Sequence, residues 1–446
     1  MAAHVIDSVF FKDLYGSEAM RAVFDDHNLL QKWLDFEAAL ARAEASLNLV
    51  PAEAAAEITR KARAELMDKD AIKRGVDKTV HPLVSLIWQL SEKCDGDAGG
   101  YVHWGATTQD VMDTAIVLQI KEAFPLFETA LESLIDVASQ LARTHRDTVM
   151  AGRTHGQQAL PITLGFKVAV WVAELKRHQT RLQENKPRVL TGEFAGAAGT
   201  LASVSDHGLE INARLMQELG LNVPEIAWHT SRDNFAEFAT ILSMICATLG
   251  KIAHEIIDLQ KSEFGELEEP FEMGKVGSST MPQKRNPMIC EAILALARLA
   301  RTQATTAIDA MMHEHERDWS SFQMEWAYIP EICIMTHGAL ELTHRVLSGL
   351  IVYPDNMKRN LDVTRGTLLA ERVMLTLGQS IGRQHAHDII YEAAMESFEK
   401  RVAFADVLKQ NPLVTQHLEA EKIDALLDPM QYTGLAGVFV DKVTGK

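Results

Sequence analysis

The chain has 446 residues, 47% of them apolar, and a formal net charge of −17. That length exceeds one ordinary core and predicts two or three domains. The charge argues against nucleic acid and anionic membrane surfaces as partners, so any anionic ligand must be met by positive charge gathered locally.

Ala, Leu and Glu are the most frequent residues and strand signals are sparse, which predicts an all-α fold. The first residues carry neither a cationic stretch nor an apolar core segment, so no secretory signal is expected. No uninterrupted apolar run approaches ~18 residues, so no membrane span is expected either. Residues 1–106 read as a first region of short helices. Within it Leu30, Trp33, Leu34, Glu37, Leu40 and Ala41 follow helical spacing, with Glu37 on the apolar face, where a core pairing is the simpler expectation. His81 precedes Pro82 and so belongs to a turn or extended segment. In Tyr101-Val-His-Trp-Gly-Ala-Thr-Thr-Gln-Asp110, Gly105 makes a turn, and Thr107 or Thr108 with Asp110 can cap the helix that follows. Capping leaves His103 and the second hydroxyl unexplained.

A long helix is predicted over 111–142, its seam marked by Phe127, Leu131, Leu134, Ala138 and Leu141, with Pro125 expected to kink or interrupt it. Gly152-Arg-Thr-His-Gly-Gln-Gln158 reads as a polar turn that places His155 as an acid or base. The next helix is marked from Leu160 to Leu182 and is expected to stop before Pro187. Trp228-His-Thr-Ser-Arg-Asp233 opens another helix, with Thr230 or Ser231 as cap and Arg232 as a candidate carboxylate or phosphate clamp. Phe238, Leu242, Ile245, Leu249, Ile252, Ile256 and Leu259 alternate spacings of four and three, the pattern of a long-helix bundle. His313 and His315 are two apart, which on a helix would point them ~200° apart and disfavours metal binding. A further long helix over 324–347 leads to a C-terminal region of shorter helices, giving regions 1–106, 107–352 and 353–446. Cys94, Cys246, Cys290 and Cys333 lack metal-type spacing and read as reduced core thiols of a cytoplasmic protein.

The stretch from Gly274 to Pro287 carries two glycines, adjacent hydroxyls, three cations and two prolines. Gly274 and Gly277 free the backbone, and Pro287 suits the first turn of a helix. The loop therefore feeds a helix N-terminus whose unpaired N–H groups favour anions, and Lys284 and Arg285 add charge. It reads as a loop closing over an anionic substrate and bringing a serine to it.

Gly277-Ser-Ser-Thr-Met-Pro-Gln-Lys-Arg-Asn-Pro287 resembles the signature of the fumarase/aspartase superfamily. The resemblance spans essentially the whole chain. It implies Ser278 as general base, His155 as general acid and His81 as a further catalytic residue. It further implies Thr107, Thr108, His103, Thr154, Gln157, Ser279, Met281, Lys284 and Asn286 as substrate-binding residues, with Arg232 as the candidate clamp. Neither metal nor other cofactor is implied. The implied partner is a small dicarboxylate-containing substrate, and the implied assembly is a homotetramer with sites built from several subunits. Geometry points the same way: a 32-residue helix of roughly 48 Å would separate the Thr107–Thr108 constellation from His155.

Two branches of the superfamily pull apart here. Leu34-Asp-Phe-Glu-Ala-Ala-Leu, Glu325-Trp326 and Arg359-Asn-Leu-Asp362 resemble the carboxymuconate cycloisomerases, whereas His81 and His155 resemble adenylosuccinate lyase. Trp326 stands where that enzyme carries a phosphate-binding Arg. The expected reaction is β-elimination: a proton leaves carbon beside a carboxylate, fixed donors hold the resulting dianion, and a second group protonates the departing atom. A C–N lyase acting on an N-succinyl or aspartate-derived amine and releasing fumarate is the first expectation. A cycloisomerase, adenylosuccinate lyase itself and a non-catalytic crystallin-like protein are the alternatives.

Overall fold

The computed structural model describes residues 4–271, 278 and 280–445. Long helices dominate it: Thr108–Thr144, Leu164–Val189, Asp233–Gln260, Met288–Asp309 and Trp319–Ser348. Among the described residues, strands are confined to two two-stranded antiparallel pairs. The fold is all-α, as composition and spacing predict. Each of the seven seam positions from Phe238 to Leu259 is at most 2% exposed. The Asp233–Gln260 helix is long and apolar enough by composition to cross a membrane, with 67% of its most apolar window buried. A core helix has the same length and composition, and the apolar seam of this one is spent on the core. All four cysteines are buried and no disulfide joins them.

The chain packs into two compact units, one of Met1–Glu132, Arg177–Leu249 and Ala295–Glu341, the other of Ser133–Lys176, Gly250–Leu294 and Leu342–Lys446. This division follows contacts and not sequence order, so the region expected at 107–352 contributes to both.

In the first unit, Phe124 stacks on Phe238 at 5.7 Å and Phe127 meets the same ring edge-on at 6.4 Å. Pro125 lies between those two rings in sequence, yet the helix continues from Thr108 to Thr144. The expected interruption does not occur. A proline inside a helix costs about 3 kcal/mol, and full burial of Phe124 and Phe127 returns roughly 1.5–3 kcal/mol each. The helix Asp26–Ala45 buries Leu30, Leu34, Phe36 and Leu40 in this unit, and Asp25 caps it by accepting from Asn28 N at 2.7 Å.

The second unit contains a β-hairpin absent from the expected elements. Strands β1 (Val149–Thr154) and β2 (Gln157–Thr163) pair antiparallel, with Thr154 opposite Gln157. Leu160 therefore belongs to β2, and the following helix starts at Leu164 and carries Pro187 within its last turn. A C-terminal core of Val373, Leu377, Ile390, Phe404, Leu408 and Ile423 joins the short helices of this unit.

Candidate active site

In the first unit, helix Thr108–Thr144 begins at a saturated carboxylate. Asp110, the third helical residue, accepts from the backbone N–H of Thr107 at 2.9 Å, as the acidic member of a capping box does. Its oxygens also accept from Ala195 N (3.1 Å), Gly196 N (3.0 Å) and His229 Nε2 (2.8 Å). Asp110, Glu193 and His229 offer three ligand atoms within 4.8 Å of one another, a spacing that could hold a metal ion. Four hydrogen bonds, however, use all the lone-pair sites of Asp110. Burial, then Asp113 and Asp110, push the Glu193 carboxyl well above its usual range. The trio is a hydrogen-bonded brace for the start of the helix.

That brace presents Thr107 and Thr108, both half-buried. Thr108 Oγ1 lies 3.2 Å from His81 Nε2. His81 Nδ1 faces Val84 N at 3.3 Å and must be the acceptor there, so the ring proton sits on Nε2 and points at Thr108. Burial, then the nearby His103, hold the His81 pKa below its ordinary value, so the ring is neutral near pH 7. With its oxygen accepting from His81, the Thr108 hydroxyl is left to donate its own hydrogen to a ligand.

His103 is the second imidazole of the cluster. It adopts a left-handed conformation (φ 62°) and places Nδ1 2.7 Å from Glu37 Oε1. Burial disfavours its charged form, but the Glu37 carboxylate, its hydrogen bond and Asp110 outweigh that and raise the pKa. Glu37 is thus the core partner its position on the apolar face suggests. The four residues expected in this half, His81, His103, Thr107 and Thr108, are together.

Arg232 is not available as a clamp. It is fully buried, its guanidinium spanning Asp113 (2.8 Å to each oxygen) and Glu325, over the rings of Trp228 and Phe235. Those partners lie 119 and 93 residues away and were invisible in local sequence. Arg232, and neither Thr230 nor Ser231, directly precedes the helix Asp233–Gln260. His313 and His315 lie in a non-helical loop, not on a helix.

The second unit holds the other expected residues. His155 (φ 53°) and Gly156 (φ 75°) form the two-residue turn of the hairpin, both left-handed as a type I′ turn requires. Thr154, His155 and Gln157 are exposed at its tip. Arg153 anchors the hairpin through Glu266 at 2.7 and 3.0 Å, and Asn360 shares the same carboxylate at 2.8 Å.

Gly274, Gly277 and Ser279 lie outside the described residues. Ser278 Oγ accepts from Met281 N at 3.1 Å, a local turn contact. Met281 and Lys284 are exposed, and Asn286 is half-buried. Lys284 and Asn286 line a cleft of about 620 Å³ with Tyr353 and Glu268, whose lining includes neither Ser278 nor His155. The helix Met288–Asp309 does not offer its N-terminus to a ligand as expected: Glu269 accepts from Ile289 N (3.0 Å) and Cys290 N (3.1 Å). Arg285 is likewise engaged, with Glu268 at 2.9 Å and the Phe271 ring at 4.2 Å. Lys284 is the loop cation left facing solvent among the described residues.

The lyase family matches residues 15–301, and the adenylosuccinate lyase C-terminal family matches 366–443. The chain is similar to N-acetyl-S-(2-succino)cysteine lyase of Dickeya dadantii, 42% identical over 99% of this chain and 97% of that protein. It is equally similar, at 42%, to 3-carboxy-cis,cis-muconate cycloisomerase of Pseudomonas aeruginosa, over 97% of this chain and 95% of that one. The crystal structure of fumarate lyase from Mesorhizobium sp. BNC1 superimposes with a TM-score of 0.91 at 42% identity, over 97% of this chain and 98% of that one.

Proposed function

This chain belongs to the fumarase/aspartase superfamily of lyases, and from that premise we propose that it eliminates a heteroatom from a succinyl-type substrate and releases fumarate. The observation that carries the reading is the Thr108–His81 pair. A neutral imidazole that donates to Thr108 frees the Thr108 proton for a substrate carboxylate, and His103, its pKa raised by Glu37, completes the cluster. Ser278, as its alkoxide, takes the proton from carbon, Lys284 and Asn286 hold the charge that develops on the adjacent carboxylate, and His155 gives a proton to the departing atom as its bond to carbon breaks and the alkene forms. His81 acts by orienting Thr108. The complete site uses the Thr108 cluster of one subunit and the His155 turn of another in a homotetramer. The acidic chain and its buried free thiols support a cytoplasmic enzyme acting on a small dicarboxylate.

Nitrogen is the first choice of leaving atom, from the histidine pattern. Sulfur is a second reading, favoured by the similarity to a lyase named for an S-(2-succino)cysteine. The test is fumarate absorbance with panels of N-succinyl amines and S-succinyl thiols, and lactone formation from carboxymuconate in parallel. Fumarate from one panel supports the reading, and lactone without fumarate overturns it in favour of a cycloisomerase. With the active substrate, Ser278→Ala is expected to lower kcat by several orders of magnitude. Among the described residues its hydroxyl makes one exposed turn hydrogen bond, worth about 1 kcal/mol, so the melting temperature changes little. A loss of only a few-fold would remove Ser278 from the role of base.

A further inference from the structure

Helix Lys69–Thr79 packs so closely on helix Val84–Lys93 that a side-chain carbon at Gly75 would collide with the Ser85 hydroxyl. One turn beyond Gly75 the chain must reverse within the short link 80–83. It does so at Val80, which closes the helix in the left-handed conformation (φ 54°, ψ 29°). Glycine or asparagine ordinarily takes that position, because a Cβ there crowds the following carbonyl oxygen. A β-branched residue in it is an outlier, and among the described residues Val80 is the one such case. Packing does not account for the valine, whose side chain is 76% exposed. Backbone strain and an exposed apolar side chain thus coincide at the residue before His81. The contacts that hold His81 against this strain are long. His81 N donates to Thr79 Oγ1 at 3.2 Å, Val84 N donates to His81 Nδ1 at 3.3 Å, and His81 Nε2 lies 3.2 Å from Thr108 Oγ1. The Thr79 hydroxyl makes its short bond, 2.8 Å, to Gly75 O within its own helix and reaches His81 O at 3.4 Å. The Trp319 ring faces the imidazole at 6.4 Å, near the outer limit of ring contact. Strain at a functional residue persists where its surroundings over-determine it, and here they barely do.

We propose that Val80 is a positioning residue for His81: it loads the 80–83 link so that the His81–Thr108 pair is partly formed in the free protein and is completed when a substrate carboxylate binds Thr108. The proposal rests on the reading of His81 as the residue that orients Thr108. Relief of the left-handed penalty shifts such a two-state equilibrium about tenfold. Apparent affinity is lowered by the fraction of protein in the competent state, so a residue that accepts the left-handed conformation raises affinity for the carboxylate. The same relief stabilises the folded chain.

The test combines thermal melts with calorimetric titration of fumarate into the whole protein, for Val80→Asn, Val80→Ile, His81→Gln and the Val80→Asn/His81→Gln pair. Asparagine tolerates the left-handed conformation, so Val80→Asn is expected to raise the melting temperature by about 1–2 °C and to tighten fumarate about fivefold. With the active substrate, kcat/KM is expected to rise by the same factor, through KM. Val80→Ile keeps the branched Cβ and is expected to match wild type in both readouts. In the His81→Gln background the gain in melting temperature is expected to persist and the gain in affinity to vanish. A lower melting temperature in Val80→Asn would mean that the exposed valine is packed against a second copy, and would overturn the proposal. So would a raised melting temperature with unchanged affinity, an affinity gain that survives in the His81→Gln background, or the same gain in Val80→Ile. Wild type that fails to bind fumarate, or His81→Gln that binds it as tightly as wild type, would overturn the reading of Thr108 and His81 and this proposal with it. Weakened binding in His81→Gln beside an unchanged Val80→Asn overturns this proposal alone.

Discussion

Two groups, His103 in the candidate site and Glu44 in the core, make pH-dependent stability measurable. His103 has a raised folded pKa, so the stabilisation from its pair with Glu37 is fully present below the ordinary value of 6.5 and is lost as pH rises through the raised value. His103→Gln is therefore expected to lower the melting temperature more at pH 6 than at pH 9. The effect is about 1 kcal/mol at the lower pH, since the imidazole is 20% exposed. Equal losses at both values would mean the pair is not charged. Glu44 is the opposite case of an uncompensated group. Both its oxygens are buried without a hydrogen-bond partner among the described residues, and burial, with Glu37 as a smaller cause, raises its pKa from 4.5 to about 8. Between those values the unfolded chain ionises while the folded chain must keep the proton, so stability falls as pH rises from 4.5 to 8. Glu44→Met is expected to stabilise the protein at pH 8 by on the order of a few kcal/mol and much less at pH 4.5. Thermal melts at the two values check this; a gain of equal size at both would assign the effect to packing.

At the scale of elements, the long helices were legible because one strong period fixes a buried seam, and every position from Phe238 to Leu259 is where that period puts it. The hairpin was not. The strand Val149–Thr154 is buried at its first four positions instead of alternating, and Pro161 sits in its partner, so neither strand carries the usual signal. Its turn was legible as a turn, because Thr-His-Gly-Gln has polar tips around a glycine. Long-range partners were illegible in principle. Nothing near Ile289 in sequence announces that Glu269 caps that helix, or that Asp113 and Glu325 take Arg232. The turn also gives a clean substitution. Asn tolerates the left-handed conformation that His155 adopts (φ 53°), so His155→Asn preserves the hairpin. It is expected to leave the melting temperature unchanged and to slow poor leaving groups by roughly a hundredfold or more than good ones. Rates that fall equally across a leaving-group series would exclude His155 as the acid.

For the whole molecule, the central claim is that catalysis draws the Thr108 cluster and the His155 turn from different copies of the chain. These residues belong to different compact units, and they flank one continuous 37-residue helix. In sequence a whole helix stands between them, whereas elimination needs its donors within a few ångströms of one substrate. Symmetric association of identical subunits reconciles the two. The most direct measurement mixes a Thr108→Val chain with a His155→Asn chain, each nearly inactive, unfolds them together, reassembles them and assays fumarate release. With equal random mixing each site draws both groups intact in roughly a quarter of cases, so recovery near a quarter of wild-type activity is predicted. Hybrids as inactive as their parents, alongside wild type that survives the same refolding, would place both groups in one chain and contradict the shared site.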